Sequence, residues 1–164
     1  MKKNDKKNEI NIDKMQETHH ITRIRTWRDV FVLLLKYDSK FIPSISERKH
    51  DLLEYAHKLY KYAHVYTVTE DNNQVGFIAF YANDMVTKTA YITQIAVDSE
   101  KCHKGFGTAL VEKCINISKL NGMLEIMLEV NKGNRRAIEF YKKIGFIYKR
   151  QASRYSEYMT LKLK

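Results

Sequence analysis

The triplet Gly105-Phe106-Gly107 lies between Tyr91-Ile92-Thr93-Gln94-Ile95-Ala96-Val97-Asp98, which reads as a strand, and a helix expected from Thr108 to just before Gly122. A strand that delivers a glycine-bearing loop onto a helix N-terminus makes a concave row of free backbone N–H groups. The positive end of the helix dipole backs that row, and the arrangement binds phosphate. The triplet lacks the Gly-Lys-Ser/Thr ending of a P-loop and the third glycine of a dinucleotide fingerprint, which excludes both of those sites. Downstream, Leu124, Ile126, Leu128 and Val130 alternate with Glu125, Met127 and Glu129, so two carboxylates share one face of a strand. Cys102 reads as an inert loop residue. His19-His20 reads as surface, since no Cys or acidic ligand stands at metal-binding spacing, and no metal is expected.

The elements that must position these groups follow from periodicity and caps. Residues 1–18 are rich in Lys, Asn, Asp and Glu without apolar periodicity, which predicts a disordered segment ahead of a single domain over residues 19–164. Ile21 to Arg25 is a short strand. Thr26 with Asp29 forms a capping-box variant opening a helix through Val30, Phe31, Leu33 and Leu34. Pro43 breaks the chain, and Ser44 with Glu47 caps a second helix whose stripe is Leu52, Ala56, Leu59 and Ala63. Val65–Glu70 and Val75–Tyr81 form a hairpin about Asp71-Asn72-Asn73-Gln74, with Gly76 marking a bulge or a close backbone approach. The helix after the glycine triplet buries Leu110, Cys114 and Ile117, and Asn121-Gly122 stops it. Asn134 caps a helix with stripe Ala137, Ile138, Tyr141 and Ile144, which Gly145 ends. Phe146–Arg150 and Glu157–Leu163 are a last antiparallel pair. Strand-helix-strand units among hairpins imply a mixed sheet covered by helices.

Composition sets limits. The chain has 164 residues, 44% hydrophobic and 12% aromatic, enough to fold around its own core. Its two cysteines suggest neither a disulfide framework nor a zinc site, and together with the lack of a signal-peptide core this points to the cytoplasm. No apolar run is long enough to span a bilayer, so no membrane partner is expected. The formal charge of +10 calls for a phosphate-rich or polyanionic partner: nucleic acid, a phosphorylated cofactor or a nucleotide substrate. Nucleic acid is the less favoured of these, since no recognised motif or basic helix with interleaved aromatics occurs.

The stretch Leu128-Glu129-Val130-Asn131-Lys132-Gly133-Asn134-Arg135-Arg136-Ala137-Ile138-Glu139-Phe140-Tyr141-Lys142-Lys143-Ile144-Gly145-Phe146 closely resembles the GNAT superfamily of acyl-CoA-dependent N-acetyltransferases. The likeness covers roughly Val65 to Phe146. It rests on this Asn-x-x-Ala-x-x-Phe-Tyr-x-x-x-Gly-Phe helix and on the glycine loop, similar to the family's Gln/Arg-x-x-Gly-x-Gly/Ala pyrophosphate loop. The resemblance implies an α/β (α+β) fold: a mixed, mostly antiparallel twisted sheet of six to seven strands, splayed at its centre and flanked by about four helices. It implies acetyl-CoA as acetyl donor, with the pantetheine arm in the splay against the backbone of Ile95 and Val97. N–H groups of Cys102, His103, Lys104, Gly105, Phe106, Gly107 and Thr108 would hold the pyrophosphate. Asn134 would lie beside the arm and Tyr141 near the thioester sulfur, as proton donor to the departing thiolate. Cys102 departs from the family's Gln or Arg and removes one side-chain donor, which predicts weaker binding without loss.

In histone-type members the base is a Glu at a position matched here by Tyr91, so that solution is absent. In ribosomal-protein N-terminal acetyltransferases the Glu of a similar Leu-Glu-Val segment serves, which nominates Glu129, with Glu125 as the alternative. The implied reaction is direct attack by a primary amine in a ternary complex. The acceptor is a small-molecule amine or a peptide. Phe41 to Leu59 faintly resembles proteins of surface-polysaccharide synthesis and suggests an amino-sugar nucleotide near Arg48, while the Glu129 and Tyr141 pairing suggests a protein N-terminus. A monomer or homodimer is expected, and an acyl-CoA-binding module without turnover is the alternative.

Overall fold

The computed structural model describes residues 19–164; the predicted disorder of residues 1–18 lies outside the described residues. Seven strands form one sheet in the order β1-β2-β3-β4-β5-β7-β6. They are β1 His20–Arg23, β2 His64–Glu70, β3 Asn73–Tyr81, β4 Thr89–Val97, β5 Glu125–Asn131, β6 Ile147–Gln151 and β7 Ser156–Lys162. Every neighbouring pair is antiparallel except the central one, β4 with β5. Among the described residues five α-helices accompany the sheet, one more than expected: α1 Trp27–Tyr37, α2 Ile45–Arg48, α3 Leu52–Tyr62, α4 Phe106–Leu120 and α5 Arg135–Ile144.

The period-two pattern of the strands sends alternate side chains into two cores. On one face Tyr66, Val68, Ile78, Phe80, Ile92, Ile126, Leu128 and Val130 pack with α4 and α5. On the other face Val65, Phe77 and Ala79 pack with α1, α2 and α3. Burial of these side chains, at about 25 cal/mol per Å² of apolar surface, is what holds the helices to the sheet.

Local signals set most boundaries. Thr26 accepts the Asp29 N–H and opens α1, and Asn134 accepts the Ala137 N–H and opens α5. The Ser44–Glu47 capping box is present, yet it opens only the four-residue α2. The expected second helix is therefore two, because Lys49 is extended and Asp51 starts α3 anew by accepting from both Leu53 and Glu54. Ala63, assigned to that stripe, is the C-terminal cap of α3. The hairpin turns on Asp71 and Asn72, both at positive φ. Gly76 serves both expected purposes: the register shifts beside it, and a Cβ there would meet the Ala96 carbonyl oxygen at 2.8 Å.

Helix α4 begins at Phe106, two residues before Thr108, since Gly105 in the left-handed region already turns the chain into it. Its buried stripe is Leu110, Val111, Cys114 and Ser118, with Ile117 only partly covered. Leu124 precedes β5 and is exposed, because the strand pairs only from Glu125 onward.

Candidate active site

Strands β4 and β5 pair only from Thr89–Glu125 to Ile92–Leu128. Both continue beyond that, β4 to Val97 and β5 to Asn131, and there they part. On its other side β4 stays paired with β3 as far as Val97. The Asp98 N–H donates to the Val75 carbonyl at 2.8 Å. Strand backbones alternate, so the N–H and C=O groups of Val97 and Ile95 point the opposite way, into the opening between the strands. Both residues therefore lie along one wall of a gap whose polar backbone has no strand partner.

That wall runs directly into the glycine loop. A short 3-10 turn, Ser99–Lys101, links β4 to Cys102, after which His103 (φ 70°) and Gly105 (φ 83°) adopt left-handed backbone. A Cβ at Gly105 would be strained and would also meet His19 Nε2 at 3.1 Å. No side chain caps α4, and its first backbone bond is Ala109 N–H to the Gly105 carbonyl. The N–H groups of Phe106, Gly107 and Thr108 thus face outward at the positive end of a helix of 15 residues. Gly107 lets α4 touch α5, for a Cβ there would lie 3.1 Å from Phe140 Cζ.

The loop's side chains are less available than its backbone. Cys102 donates its Sγ hydrogen to the Asp98 carbonyl at 3.5 Å, in keeping with a structural thiol. The Lys104 ammonium is paired with Glu70 at 3.2 Å, and Lys101 binds the same carboxylate. His103 accepts from the Arg136 guanidinium at 3.4 Å. Arg136 brings a cation to this loop from α5, which no spacing rule reveals across 33 residues.

Tyr141 and Glu129 lie on opposite faces of the sheet. Tyr141 is buried among the side chains on the α4 and α5 face, its ring 5.6 Å from Phe146 and 5.2 Å from Phe140. Burial raises its phenol well above the ordinary value, so it stays protonated. Glu129 projects to the other face, is exposed, and accepts a short hydrogen bond from Ser156. Asn134 uses its side-chain oxygen on the first turn of α5, at 3.1 Å from the Ala137 nitrogen.

Glu125, the alternative base, is excluded by its surroundings. Burial would raise its carboxyl, but Lys149 at 2.6 Å, Lys162 at 2.9 Å and Thr160 at 3.0 Å outweigh this and pull it down to about 2. A carboxylate so held is a structural anchor between β5, β6 and β7 and a poor proton acceptor at neutral pH.

A polar network on the Glu129 face escaped the sequence reading. Register shifts in β4 leave Thr93 outside the pairing, so Thr93 and Gln94 both reach the Tyr55 hydroxyl, at 2.9 and 3.2 Å. Gln94, only 2% exposed, accepts from Arg48 at 3.3 Å. A lone glutamine inside an otherwise apolar and β-branched strand was the available signal. Tyr91 stands beside this network, its phenol raised chiefly by burial and then by the charge of Glu129. Among the described residues no cluster of His, Cys, Asp and Glu could hold a metal ion, and no helix is long and apolar enough to cross a membrane.

Residues 21–146 match the model of the Acetyltransferase (GNAT) family. An uncharacterised N-acetyltransferase of Methanocaldococcus jannaschii is 40% identical over 76 residues, 44% of this chain and 34% of that protein. The ribosomal protein bS18-alanine N-acetyltransferase of Escherichia coli is 35% identical over 68 residues, 42% of this chain and 46% of that protein. These alignments span less than half the length of either relative. Among solved structures, the PaiA N-acetyltransferase of Thermoplasma acidophilum, in complex with coenzyme A, superposes with a TM-score of 0.67 at 21% identity, over 87% of this chain and 99% of that one.

Proposed function

Because the chain belongs to the GNAT family of acetyltransferases, we propose that it transfers an acetyl group from acetyl-CoA to a primary amine by direct attack. One observation carries the reading: the gap between β4 and β5 opens straight onto the uncapped N-terminus of α4. A thioester on a long polar arm ending in a pyrophosphate fits both halves of that feature. The donor supplies an activated acetyl carbon, and the remaining chemistry belongs to the protein.

The backbone of Ile95 and Val97 pairs with the amides of the arm as a missing strand would. N–H groups from His103 to Thr108 take the pyrophosphate, the Cys102 N–H being directed to the Ser99 carbonyl at 3.5 Å. Charge-assisted hydrogen bonds contribute about 1.5–3 kcal/mol each, so several backbone donors outweigh the one side-chain donor lost at Cys102. Asn134 holds the start of α5 so that Tyr141 stays against the gap. Gap-facing N–H groups of β4 polarise the thioester carbonyl. Glu129, on the opposite face, takes the proton that the amine sheds as its nitrogen bonds to the acetyl carbon. The carbon–sulfur bond breaks toward the α4 and α5 face, where Tyr141 gives its proton to the departing thiolate. Orientation of amine and thioester supplies most of the rate.

A protein N-terminus is the acceptor we favour over an amino-sugar nucleotide, since the Escherichia coli relative acts on a ribosomal protein and Glu129 lines the acceptor face. Calorimetric titration with acetyl-CoA, followed by thiol release over a panel of peptides and amines, tests the proposal. Saturable binding with release in the presence of an amine is expected. Absence of binding at millimolar donor overturns it, and binding without release over the panel makes the protein an acyl-CoA-binding module instead.

A further inference from the structure

Arg48 is the basic group that hydrogen-bonds to the buried polar network of β4, while Lys49 lies over the Tyr55 ring of the same network at 5.1 Å. Arg48 comes from the four-residue α2, 46 residues away in sequence, and its guanidinium donates to Gln94 at 3.3 Å while lying 5.7 Å from the Phe41 ring. Its Nε donates to the Ser44 carbonyl at 3.4 Å. Of the carboxylates nearest in the chain, Glu47 accepts from Ser44 and Asp51 from the first turn of α3; Asp38, which accepts from Ser46 at 2.6 and 2.7 Å, feels the Arg48 charge without pairing with it. Among the described residues Arg48 has no ion-pair partner. A guanidinium has five N–H donors, of which the contacts above use two, so the rest are left for an anion.

Glu129 stands across the opening on β5, and both charges act on the Tyr91 phenol between them. The amine must approach on the Glu129 side if that carboxylate is to take its proton. Whatever extends from the amine across β4 then meets Arg48.

Building on the GNAT reading above, we infer that the acceptor is a primary amine carrying an anionic group, with Arg48, seated on Gln94, binding that anion. A peptide whose first or second side chain is acidic has this chemistry, and so has an amino-sugar nucleotide. Arg48 thereby selects among acceptors and takes no part in donor binding, whose groups lie along the gap and the α4 N-terminus.

The test compares acceptors matched except for charge: peptides beginning with Asp or Glu against Asn or Gln, and an amino-sugar nucleotide against the free amino sugar. kcat/KM is measured with saturating acetyl-CoA, and acceptor affinity is measured in parallel by calorimetry in the presence of CoA, where no transfer occurs. The expected result is a preference of about tenfold or more for the anionic member. Arg48→Ala should collapse the preference toward unity, Arg48→Lys should keep part of it, and Arg48→Glu should reverse it in favour of a second cation, all with unchanged acetyl-CoA affinity. Equal use of anionic and neutral acceptors, or a preference that survives Arg48→Ala, overturns the inference. The dead-end binding arm keeps this separate from transfer itself: without turnover, a charge preference in binding that depends on Arg48 still supports the assignment, and its absence refutes it. The peptide and sugar arms identify which source supplies the anion.

Discussion

The two acidic residues that alternate on β5 have opposite fates, and their neighbours decide which. Glu125 is buried under two lysines and a threonine, whereas Glu129 is exposed and meets one serine hydroxyl. Replacing Glu125 by Gln should leave acetyl-CoA affinity intact and destabilise the fold by about 3 kcal/mol, read as a lower urea midpoint. Its folded pKa of about 2 lies below the unfolded carboxyl value. The stabilisation is therefore complete above about pH 4.3 and is lost as the pH falls from there through about 2. Tyr141 works in the other direction. Burial keeps its phenol protonated, so a pH–rate profile should show no loss of kcat traceable to this residue below about pH 10. Tyr141→Phe should lower kcat about a hundredfold with acetyl-CoA affinity preserved, as measured by single-turnover quench. An unchanged single-turnover rate would remove Tyr141 from the mechanism.

At the level of elements, β4 is strand on one side and binding wall on the other. Its pairing with β3 runs to Val97, while its pairing with β5 stops at Ile92. The gap-facing amides of Ile95 and Val97 should exchange hydrogen quickly in the free protein, and acetyl-CoA should slow them. Those of Gln94 and Ala96, directed toward β3, should be protected in both states. Equal protection of all four with and without donor would mean that the arm does not lie along this wall. The other wall depends on α5, whose Phe140 touches Gly107 at the start of α4.

Across the whole molecule, the two halves of the sheet meet at a central seam of only four residue pairs between β4 and β5, bridged by the core on the α4 and α5 face. A ligand that fills the seam and binds the loop beyond it joins both halves of the sheet. At a hundred times its dissociation constant such a ligand stabilises the folded state by about 2.7 kcal/mol. For a chain of this length that corresponds to a rise in Tm of roughly 5–10 °C. Differential scanning fluorimetry with CoA should show this shift, and desulfo or adenosine fragments should each show less. A fragment reproducing the full shift would place the binding energy in one half alone.

The order of elements, the hairpin at Asp71-Asn72, the caps at Thr26, Ser44 and Asn134, and the strand-loop-helix around Gly105 were all legible in the chain. Periodicity and capping act between residues a few positions apart, so local sequence carries them. The same rules misjudged the helix after Ser44, where a capping box was followed seven residues later by a stronger start at Asp51. They could not separate Glu125 from Glu129, because alternation treats the two alike and the lysines that lock Glu125 arrive from β6 and β7. Nor could they assemble Arg48, Tyr55 and Gln94, or bring Arg136 to His103. Those contacts join residues 33 to 46 positions apart. Only sheet register and helix placement create them, since a side chain's charge and hydrogen bonds act through space and a linear pattern records only neighbours along the chain.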